Sequence, residues 1–231
     1  MSWIALVVAA GRGERFGRPK QLIEIAGKPM LAWSVETFAA MREIVGLVVT
    51  TEPEFLEPVR ELVATSAKQL PASVIAGGRE RQDSVRLGLE HIARTVSAGS
   101  FVLVHDGARP MLRVEDVRRG MAVVAPGTGS LLATPVVDTI KRVEQDGRVR
   151  ETLERARLWA AQTPQFGTLS DLLRAHREAE QQGLRVTDDA TLLERAGVEV
   201  TAVPGNPENF KVTVAADLAR AELILRERAT V

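Results

Sequence analysis

Cysteine is absent from the 231 residues, and histidine occurs only three times. The absence of cysteine excludes a disulfide framework, a thiolate metal site and a cysteine nucleophile, and it fits a reducing compartment. Lysine and arginine total 30, as do aspartate and glutamate, so no net charge favours nucleic acid or an anionic membrane as a partner. Any positive potential must therefore be local.

Long apolar runs are also absent. No segment approaches about 18 uninterrupted apolar residues, the length that a membrane-spanning helix needs. The apolar residues near the N-terminus lack the basic region that precedes the core of a signal peptide. We therefore expect a cytoplasmic protein with neither a spanning helix nor a signal peptide.

Apolar residues make up 45% of the chain, enough for one large core, and no linker separates two folding units. Short β-branched segments alternate with longer amphipathic ones. The strand and helix pairs are 4–8 with 30–41, 45–50 with 54–64, 72–75 with 81–94, and 101–105 with 114–124. This alternation predicts an α/β fold, a single domain over 1–231 with a doubly wound, mainly parallel, Rossmann-like sheet. Further helices are predicted at 169–182, 190–195 and 215–228, and a strand at 199–203.

One region departs from this alternation. A polar turn at 145–148 separates apolar and β-branched residues at 139–143 and 149–153, which predicts a protruding β-hairpin. An isolated hairpin is marginally stable and needs a surface to pack on. We therefore expect the segment at about 136–156 to be an arm that joins two subunits in a homodimer.

The first predicted strand leads into a loop rich in glycine and cations, AAGRGERFGRPKQL at 9–22. Gly11 and Gly13 allow backbone N–H groups to approach an anion, and Arg15 and Lys20 can reach phosphate oxygens. The loop lacks the G-x-G-x-x-G spacing, because Gly17 falls one residue late, and it has no G-K-[ST] ending. It favours a phosphate site of another type, although a surface turn with solvated charges would also explain the loop alone.

Two other polar segments follow predicted strands, at 77–84 and 105–110. The carboxyl ends of parallel strands meet at one edge of a sheet, where ligands bind in open α/β folds. Each segment also has a simpler explanation, such as a helix cap at Ser84 or a solvated cation at Arg109. His105 is expected to be a packed histidine at a strand end. Together the segments predict one site at this edge.

The specific motifs of the chain extend from the first strand to the last helix. They are Ala9-Ala10-Gly11-x-Gly13-x-Arg15 with Pro19-Lys20-Gln21, Gly77-Gly78 with Asp83-Ser84-Val85, His105-Asp106-x-Ala108-Arg109-Pro110, Thr134-Pro135-x-x-Asp138-Thr139-x-Lys141, Thr163-Pro164-Gln165-Phe166, Thr187-Asp188-Asp189-Ala190 and Asn209-Phe210-Lys211-Val212-Thr213. In these positions and this order they resemble the 2-C-methyl-D-erythritol 4-phosphate cytidylyltransferase family, also called 4-diphosphocytidyl-2-C-methyl-D-erythritol synthase.

The resemblance implies a nucleotidyltransferase that joins CTP and 2-C-methyl-D-erythritol 4-phosphate to give 4-diphosphocytidyl-2-C-methyl-D-erythritol and pyrophosphate, in the non-mevalonate isoprenoid pathway. It also implies roles for residues. The catalytic residues would be Arg15, Lys20 and Lys211. The CTP-binding residues would be Ala10, Gly11, Gly13, Gly78, Asp83, Ser84 and Asp106, and Asp106 would also face the acceptor. The acceptor-binding residues would be Arg109 and Thr187, with Thr139 and Arg155 reaching over from the arm of a second subunit.

This reaction needs little acid–base chemistry but much charge neutralisation. Its nucleophile is a phosphate oxygen that is already anionic near neutral pH, since the second pKa of a phosphate monoester is about 6. Mg²⁺ or another divalent cation, together with aligned cationic side chains, would relieve repulsion between the reactants. No Asp-x-Asp pair lies near the loops, so we expect the ion to be carried mainly by CTP phosphates. Asp106 is the candidate for a protein ligand.

Three alternatives remain open at the level of sequence. A ribitol-5-phosphate cytidylyltransferase would share the CTP loop and differ in its acceptor. A dinucleotide-dependent oxidoreductase is disfavoured, because Thr50 and Thr51 follow the second strand where an acidic residue would bind a ribose. A nucleotide sensor would bind CTP without releasing pyrophosphate, and the set of acceptor residues argues against it.

Overall fold

The computed structural model describes residues 2–10, 20–97 and 99–229, with only the backbone of Lys20 and Ala229. Seven strands form one sheet in the order β11-β7-β10-β6-β1-β4-β5. Their bounds are β1 Trp3–Ala9, β4 Ile44–Thr51, β5 Ala72–Ala76, β6 Phe101–Asp106, β7 Thr128–Pro135, β10 Trp159–Thr168 and β11 Glu199–Pro204. Only β10 runs antiparallel to its neighbours in this sheet, so the predicted mainly parallel, doubly wound α/β sheet is confirmed.

Helices cover both faces of the sheet. They are α1 Met30–Ala39, α2 Leu56–Ser66, α3 Arg81–Ile92, α4 Val114–Ala122, α5 Leu169–Gln181, α6 Asp189–Arg195 and α7 Ala215–Ala229. Strand β1 shows why both faces are apolar: Ala5 and Val7 join the core beneath α1, α2 and α4, whereas Ile4 and Leu6 join the core beneath α3, α5 and α6. A strand buried on both sides reads as a continuous apolar run, as this one does.

A third, smaller core lies at the edge that carries the polar loops. The short strands β2 Glu24–Ile25 and β3 Lys28–Pro29 form a hairpin, and its Ile25 packs with Met30, Met111 and Val212. Helix α7 closes this core with Ala221 and Leu225, both of which are buried. The last helix therefore supports segments that are far apart in sequence but adjacent at this edge.

The predicted hairpin forms a separate two-stranded sheet of β8 Lys141–Val143 and β9 Val149–Thr152. Cross-strand partners pair Lys141 with Thr152 and Arg142 with Glu151. The hairpin extends from the end of the β7–β10 pair, where Val136 donates its N–H to the carbonyl of Leu158 over 3.0 Å. Its strands are shorter than predicted, because the segment 139–140 lies outside β8. The single-domain boundary and the use of the arm in dimerisation stay predictions.

Helix starts follow the expected chemistry at α6 and differ at α3. The Oδ1 of Asp188 accepts a hydrogen bond from the N–H of Thr191 over 3.1 Å and caps α6, a helix that the sequence predicts at 190–195. At α3 the cap is Glu80 rather than Ser84, and Asp83 completes a capping box with it. None of the helices in the described ranges is both long and apolar enough to cross a bilayer.

Candidate active site

A pocket of about 240 Å³ opens at the carboxyl ends of β1 and β6. The strand ends contribute Val8 to Ala10 and Asp106 to Ala108, and the start of α3 contributes Arg79, Glu80 and Arg81. Gln21 and Lys211 complete the lining. The polar segments after the first, third and fourth predicted strands thus meet at one edge, as parallel topology requires.

Close backbone packing fixes the Gly77–Gly78 segment beside the first strand. A Cβ on Gly77 would lie 2.6 Å from the Cβ of Ala10, and one on Gly78 would lie 2.3 Å from the Cβ of Asp83. The hydroxyl of Ser84 accepts a hydrogen bond from the N–H of Gly78 over 3.0 Å. Glycine is therefore required at both positions, and Ser84 anchors the segment rather than capping the helix.

Asp83 lies beside this segment and already has partners. One of its carboxylate oxygens accepts from the N–H of Glu80 over 3.2 Å, and the other accepts from Arg185 over 2.6 Å. Burial opposes its ionisation, but these hydrogen bonds outweigh that effect and lower the pKa of Asp83. Asp83 does not line the pocket in the described part of the chain.

Asp106, at the end of β6, is the buried carboxylate of the pocket lining. Its Oδ1 accepts from Nε of Arg81 and its Oδ2 accepts from Nζ of Lys211, each over 2.8 Å. Burial opposes its ionisation, yet the two cations hold the pKa of Asp106 well below its usual range. The backbone supports this placement, since Val212 donates its N–H to the carbonyl of Ala108 over 2.9 Å and so fixes Lys211 opposite Asp106.

Arg81 has a second carboxylate partner that the sequence analysis missed. Its Nη2 donates to Oδ2 of Asp189 over 2.8 Å, and Oδ1 of Asp189 lies 3.0 Å from Nε2 of His176. One signal could have indicated this: Arg81 is the first residue of α3, where the helix dipole disfavours a cation. An arginine at that position indicates that carboxylates lie nearby and offset this unfavourable interaction.

His105 and Arg109 shape the turn after β6. The Nδ1 of His105 lies 3.1 Å from the hydroxyl of Thr163, which itself accepts from the N–H of Asp106 over 3.0 Å. Burial lowers the pKa of His105 to about 4, so its imidazole is neutral and structural, as predicted for a packed histidine. Arg109 donates from Nη1 to the carbonyl of Asn209 over 2.7 Å, and burial lowers its pKa. Its buried Nε has no partner among the described residues.

Other predicted site residues lie away from this pocket or outside the described residues. Gly11, Gly13 and Arg15 belong to the second group, and Lys20 is described only as the first residue of a 3₁₀ helix, Lys20–Leu22. Thr187 is exposed and directly precedes the cap of α6. Thr139 and Arg155 are exposed on or beside the arm and do not line the described pocket.

Buried Gln165, from the Thr163-Pro164-Gln165-Phe166 motif, orients α6 next to the pocket. Its Nε2 donates to Oδ2 of Asp188 over 3.0 Å, and its Oε1 accepts from the N–H of Ala190 over 2.8 Å. One glutamine thus satisfies two groups at the start of α6. This contact explains why a polar side chain is buried at this point of β10.

The electrostatics of the pocket suit an anionic ligand. Three cations line the pocket, Arg79, Arg81 and Lys211, against two carboxylates, Glu80 and Asp106. Arg81 also pairs with Asp189 behind the pocket, so Arg79 and Lys211 are the cations with the most charge to offer a ligand. No group of three or more acidic or histidine side chains in the described ranges is placed to hold a metal ion. Because both oxygens of Asp106 accept from cations, a metal ion there would have to displace one of them.

The sheet order, the helices on both faces and the cationic pocket at the strand ends are those of an α/β nucleotidyltransferase. A family model described as 2-C-methyl-D-erythritol 4-phosphate cytidylyltransferase matches residues 3–227. The chain belongs to this family, which confirms the resemblance found in the sequence.

Relatives match over nearly the full chain. A curated protein of the same name from Synechococcus elongatus is 43% identical over 225 residues, which is 96% of each chain. One from Halalkalibacterium halodurans is 39% identical over 230 residues, covering 99% of each. The solved structure of the Thermus thermophilus protein has 31% identity and a TM-score of 0.79, covering 98% of this chain and all of the other.

Proposed function

We propose that this protein transfers the cytidylyl group of CTP to 2-C-methyl-D-erythritol 4-phosphate, giving 4-diphosphocytidyl-2-C-methyl-D-erythritol and pyrophosphate in isoprenoid biosynthesis. The observation that carries the proposal is the match of the family model to residues 3–227. The cationic pocket at the strand ends supports it, since both substrates are anionic. A cytoplasmic location is part of the proposal, in keeping with a chain that has no cysteine.

The chemistry is an in-line displacement at the α-phosphate of CTP. The attacking oxygen of the acceptor phosphate needs no strong base, because its second pKa is about 6. Repulsion between two anions is the main barrier, and cations placed at the reacting phosphates lower it. We assign this role to Arg15, Lys20 and Lys211, of which Lys211 lies in the described pocket.

The nucleotide would lie across the end of β1. Ala10 lines the pocket there, and the Gly77–Gly78 segment packs directly against it. Gly11 and Gly13 would contribute backbone N–H groups to the phosphates, and Mg²⁺ would arrive with CTP, bound mainly by phosphate oxygens and water. The ion would neutralise charge on the departing pyrophosphate.

The acceptor would bind beyond Asp106, toward Arg109 and Thr187, and a second subunit would complete its site. The arm carries several exposed apolar side chains: Val137 is 78% exposed, Val149 60% and Val143 54%. Exposed apolar clusters of this kind are typical of association surfaces. A homodimer that buries them through the arm would bring Thr139 and Arg155 of one subunit to the pocket of the other.

A pyrophosphate-release assay tests the proposal. The purified chain is given each of the four ribonucleoside triphosphates with 2-C-methyl-D-erythritol 4-phosphate or ribitol 5-phosphate, with and without Mg²⁺. We expect release only with CTP and the methylerythritol phosphate. Equal or faster release with ribitol 5-phosphate would identify the alternative acceptor, and CTP binding without any release would indicate a sensor.

A further inference from the structure

A continuous line of five side chains runs from the interior to the pocket: His176, Asp189, Arg81, Asp106 and Lys211. We propose that Arg81 is a positioning residue of this enzyme, which holds Asp106, and through it Lys211, in the arrangement that the transfer reaction needs. Asp189 and His176 in turn hold Arg81. The inference rests on the proposed function, because it concerns how the residues of that site are oriented.

The inner end of the line is the most buried part of it. The side chain of Lys211 is 39% exposed and that of Arg81 24%, whereas Asp189 is 1% exposed and His176 is fully buried. Arg81 and Lys211 line the pocket, so the line ends where a ligand would lie. Asp189 and His176 do not line it, and Asp189 contacts the pocket-lining side chain of Arg81.

The geometry requires arginine. Nε and Nη2 of Arg81 donate to two different carboxylates, Asp106 and Asp189, each over 2.8 Å. A planar guanidinium with donors in fixed directions can bridge two acids in one orientation, whereas a lysine ammonium is a single point charge on a flexible stem. Each bond joins two charged groups in a partly or fully buried place, where such bonds are strong and directional.

The negative charge of Asp189 is the part of this line that holds Arg81 from behind. Burial opposes the ionisation of Asp189, but Arg81 and His176 lower its pKa to about 2, so it is an anion at neutral pH. Neutralising this buried anion would leave Arg81 with one carboxylate partner instead of two. Arg81 would then be free to turn toward Asp106 or into the pocket, and the pair of Asp106 and Lys211 would lose its fixed neighbour.

Three elements meet through Arg81. It starts α3, which carries Ser84 and follows the Gly77–Gly78 segment that packs on β1. Asp106 ends β6, and Asp189 starts α6 shortly after the exposed Thr187. Arg81 therefore connects the nucleotide side of the proposed site with the acceptor side.

The test uses Asp189→Asn, which removes the charge behind Arg81 without entering the pocket, and the matched control Asp116→Asn. Asp116 is likewise a buried acid, 3% exposed, but it pairs with Arg119 on α4, away from the pocket. We expect kcat/KM to fall about 10- to 100-fold in Asp189→Asn, the cost typical of a misplaced active-site group, and to change less than about threefold in the control.

A double-mutant cycle separates positioning from a general loosening of the fold. If Asp189 acts through Arg81 on Asp106, then adding Asp189→Asn to Asp106→Asn should cost little further activity, less than about twofold. A merely structural role would lower kcat/KM by the same factor in both backgrounds. Equal factors, or full activity of Asp189→Asn, would overturn the inference.

A second pair of variants keeps the test valid should Asp189→Asn fail to fold. Arg81→Lys keeps a positive charge beside Asp106, whereas Arg81→Gln removes it. Because neither side chain can bridge Asp106 and Asp189 as the guanidinium does, kcat/KM should fall at least about tenfold in both variants. Activity of Arg81→Lys within about twofold of the unaltered chain would contradict the inference. Turnover of CTP by the unaltered chain is measured first. If the unaltered chain does not turn over CTP, the proposed function and the inference are both wrong. If it does and the variants are as active as it is, the inference alone is wrong.

Discussion

At the scale of single residues, Asp106 is the centre of the site. Its carboxylate meets Arg81 and Lys211 directly, and its backbone N–H donates a hydrogen bond to the hydroxyl oxygen of Thr163. Because both of its oxygens accept hydrogen bonds from cations, this carboxylate orients those cations and is not available as a general base. This agrees with chemistry that depends on charge neutralisation and not on proton abstraction.

The first prediction concerns the two loop cations assigned to the triphosphate. We expect Arg15→Ala and Lys20→Ala to remain folded but to lose about 10²- to 10³-fold in kcat, because each removes a charge that stabilises the transition state. The same loop offers matched controls, Arg12→Ala and Arg18→Ala, which we expect to retain activity within a few-fold. Steady-state pyrophosphate release measures all four, and near-normal turnover of Arg15→Ala or Lys20→Ala would contradict the mechanism.

At the scale of elements, helix α4 and strand β10 make a contact that depends on the absence of a side chain. A Cβ on Gly120 would lie 2.2 Å from the ring of Phe166, which is fully buried between Trp3 and the helix. β10 is also the antiparallel strand that connects the two halves of the sheet. The packing at Gly120 therefore supports the region from which the arm extends.

We accordingly predict that Gly120→Ala lowers the free energy of unfolding by about 1–3 kcal/mol, the usual cost of overpacking a core. Gly99→Ala is the matched control, since a Cβ there would have no other atom within 4 Å. Urea titration followed by circular dichroism measures both variants. Equal stability of the two would show that the overpacking costs no more than the roughly 1 kcal/mol of helix propensity that alanine gains at position 120.

The arm is the second element with a testable role. Placing a charge on its exposed apolar surface, as in Val149→Lys, should convert the proposed homodimer into monomers and lower activity, because the roles proposed for Thr139 and Arg155 need the partner's pocket. Val123→Lys, at another exposed valine directly after α4, should leave the mass unchanged. Light scattering with chromatography measures the mass, and an active monomeric wild type would contradict the role of the arm.

At the scale of the whole molecule, buried His105 predicts how stability depends on pH. The pKa of His105 falls from 6.5 to about 4 on folding because burial disfavours the imidazolium. The unfolded chain therefore binds a proton between these values that the folded chain does not bind. The contribution of His105 to the unfolding free energy is fully present above pH 6.5 and is lost as the pH falls toward 4.

The difference between 6.5 and about 4 amounts to about 3 kcal/mol of unfolding free energy. We expect His105→Gln to have a lower unfolding free energy than wild type near neutral pH. On acidification this free energy should decline much less in His105→Gln than in wild type. Leu103→Ala, a buried apolar change on the same strand, should lower stability equally at each pH. Urea titrations at about pH 5, about 6 and about 7 give the unfolding free energy of each variant as a function of pH. The same dependence on pH in wild type and His105→Gln would refute the assignment.

Much of the fold could be predicted because its signals are local. The alternation of β-branched and amphipathic segments predicts six of the observed helices closely, and α2 differs only by starting in a 3₁₀ turn, Pro53–Phe55. Strand β7 and the short strands β2 and β3 were not predicted, and neither was β10. Its sequence, WAAQTPQFGT, has few β-branched residues and contains a proline, and its antiparallel pairing with β6 and β7 depends on residues far away in the chain.

The sequence alone determined the class of fold, the family and the edge of the sheet where the polar loops meet, because each depends on short motifs or on periodicity along the chain. The arrangement of side chains within that edge depends on the packing of distant segments. Arg81 and Asp189 are 108 positions apart, and Asp106 and Lys211 are 105 apart. Ion pairs across such distances follow from how α3, α6 and β6 pack together, and no local pattern encodes them.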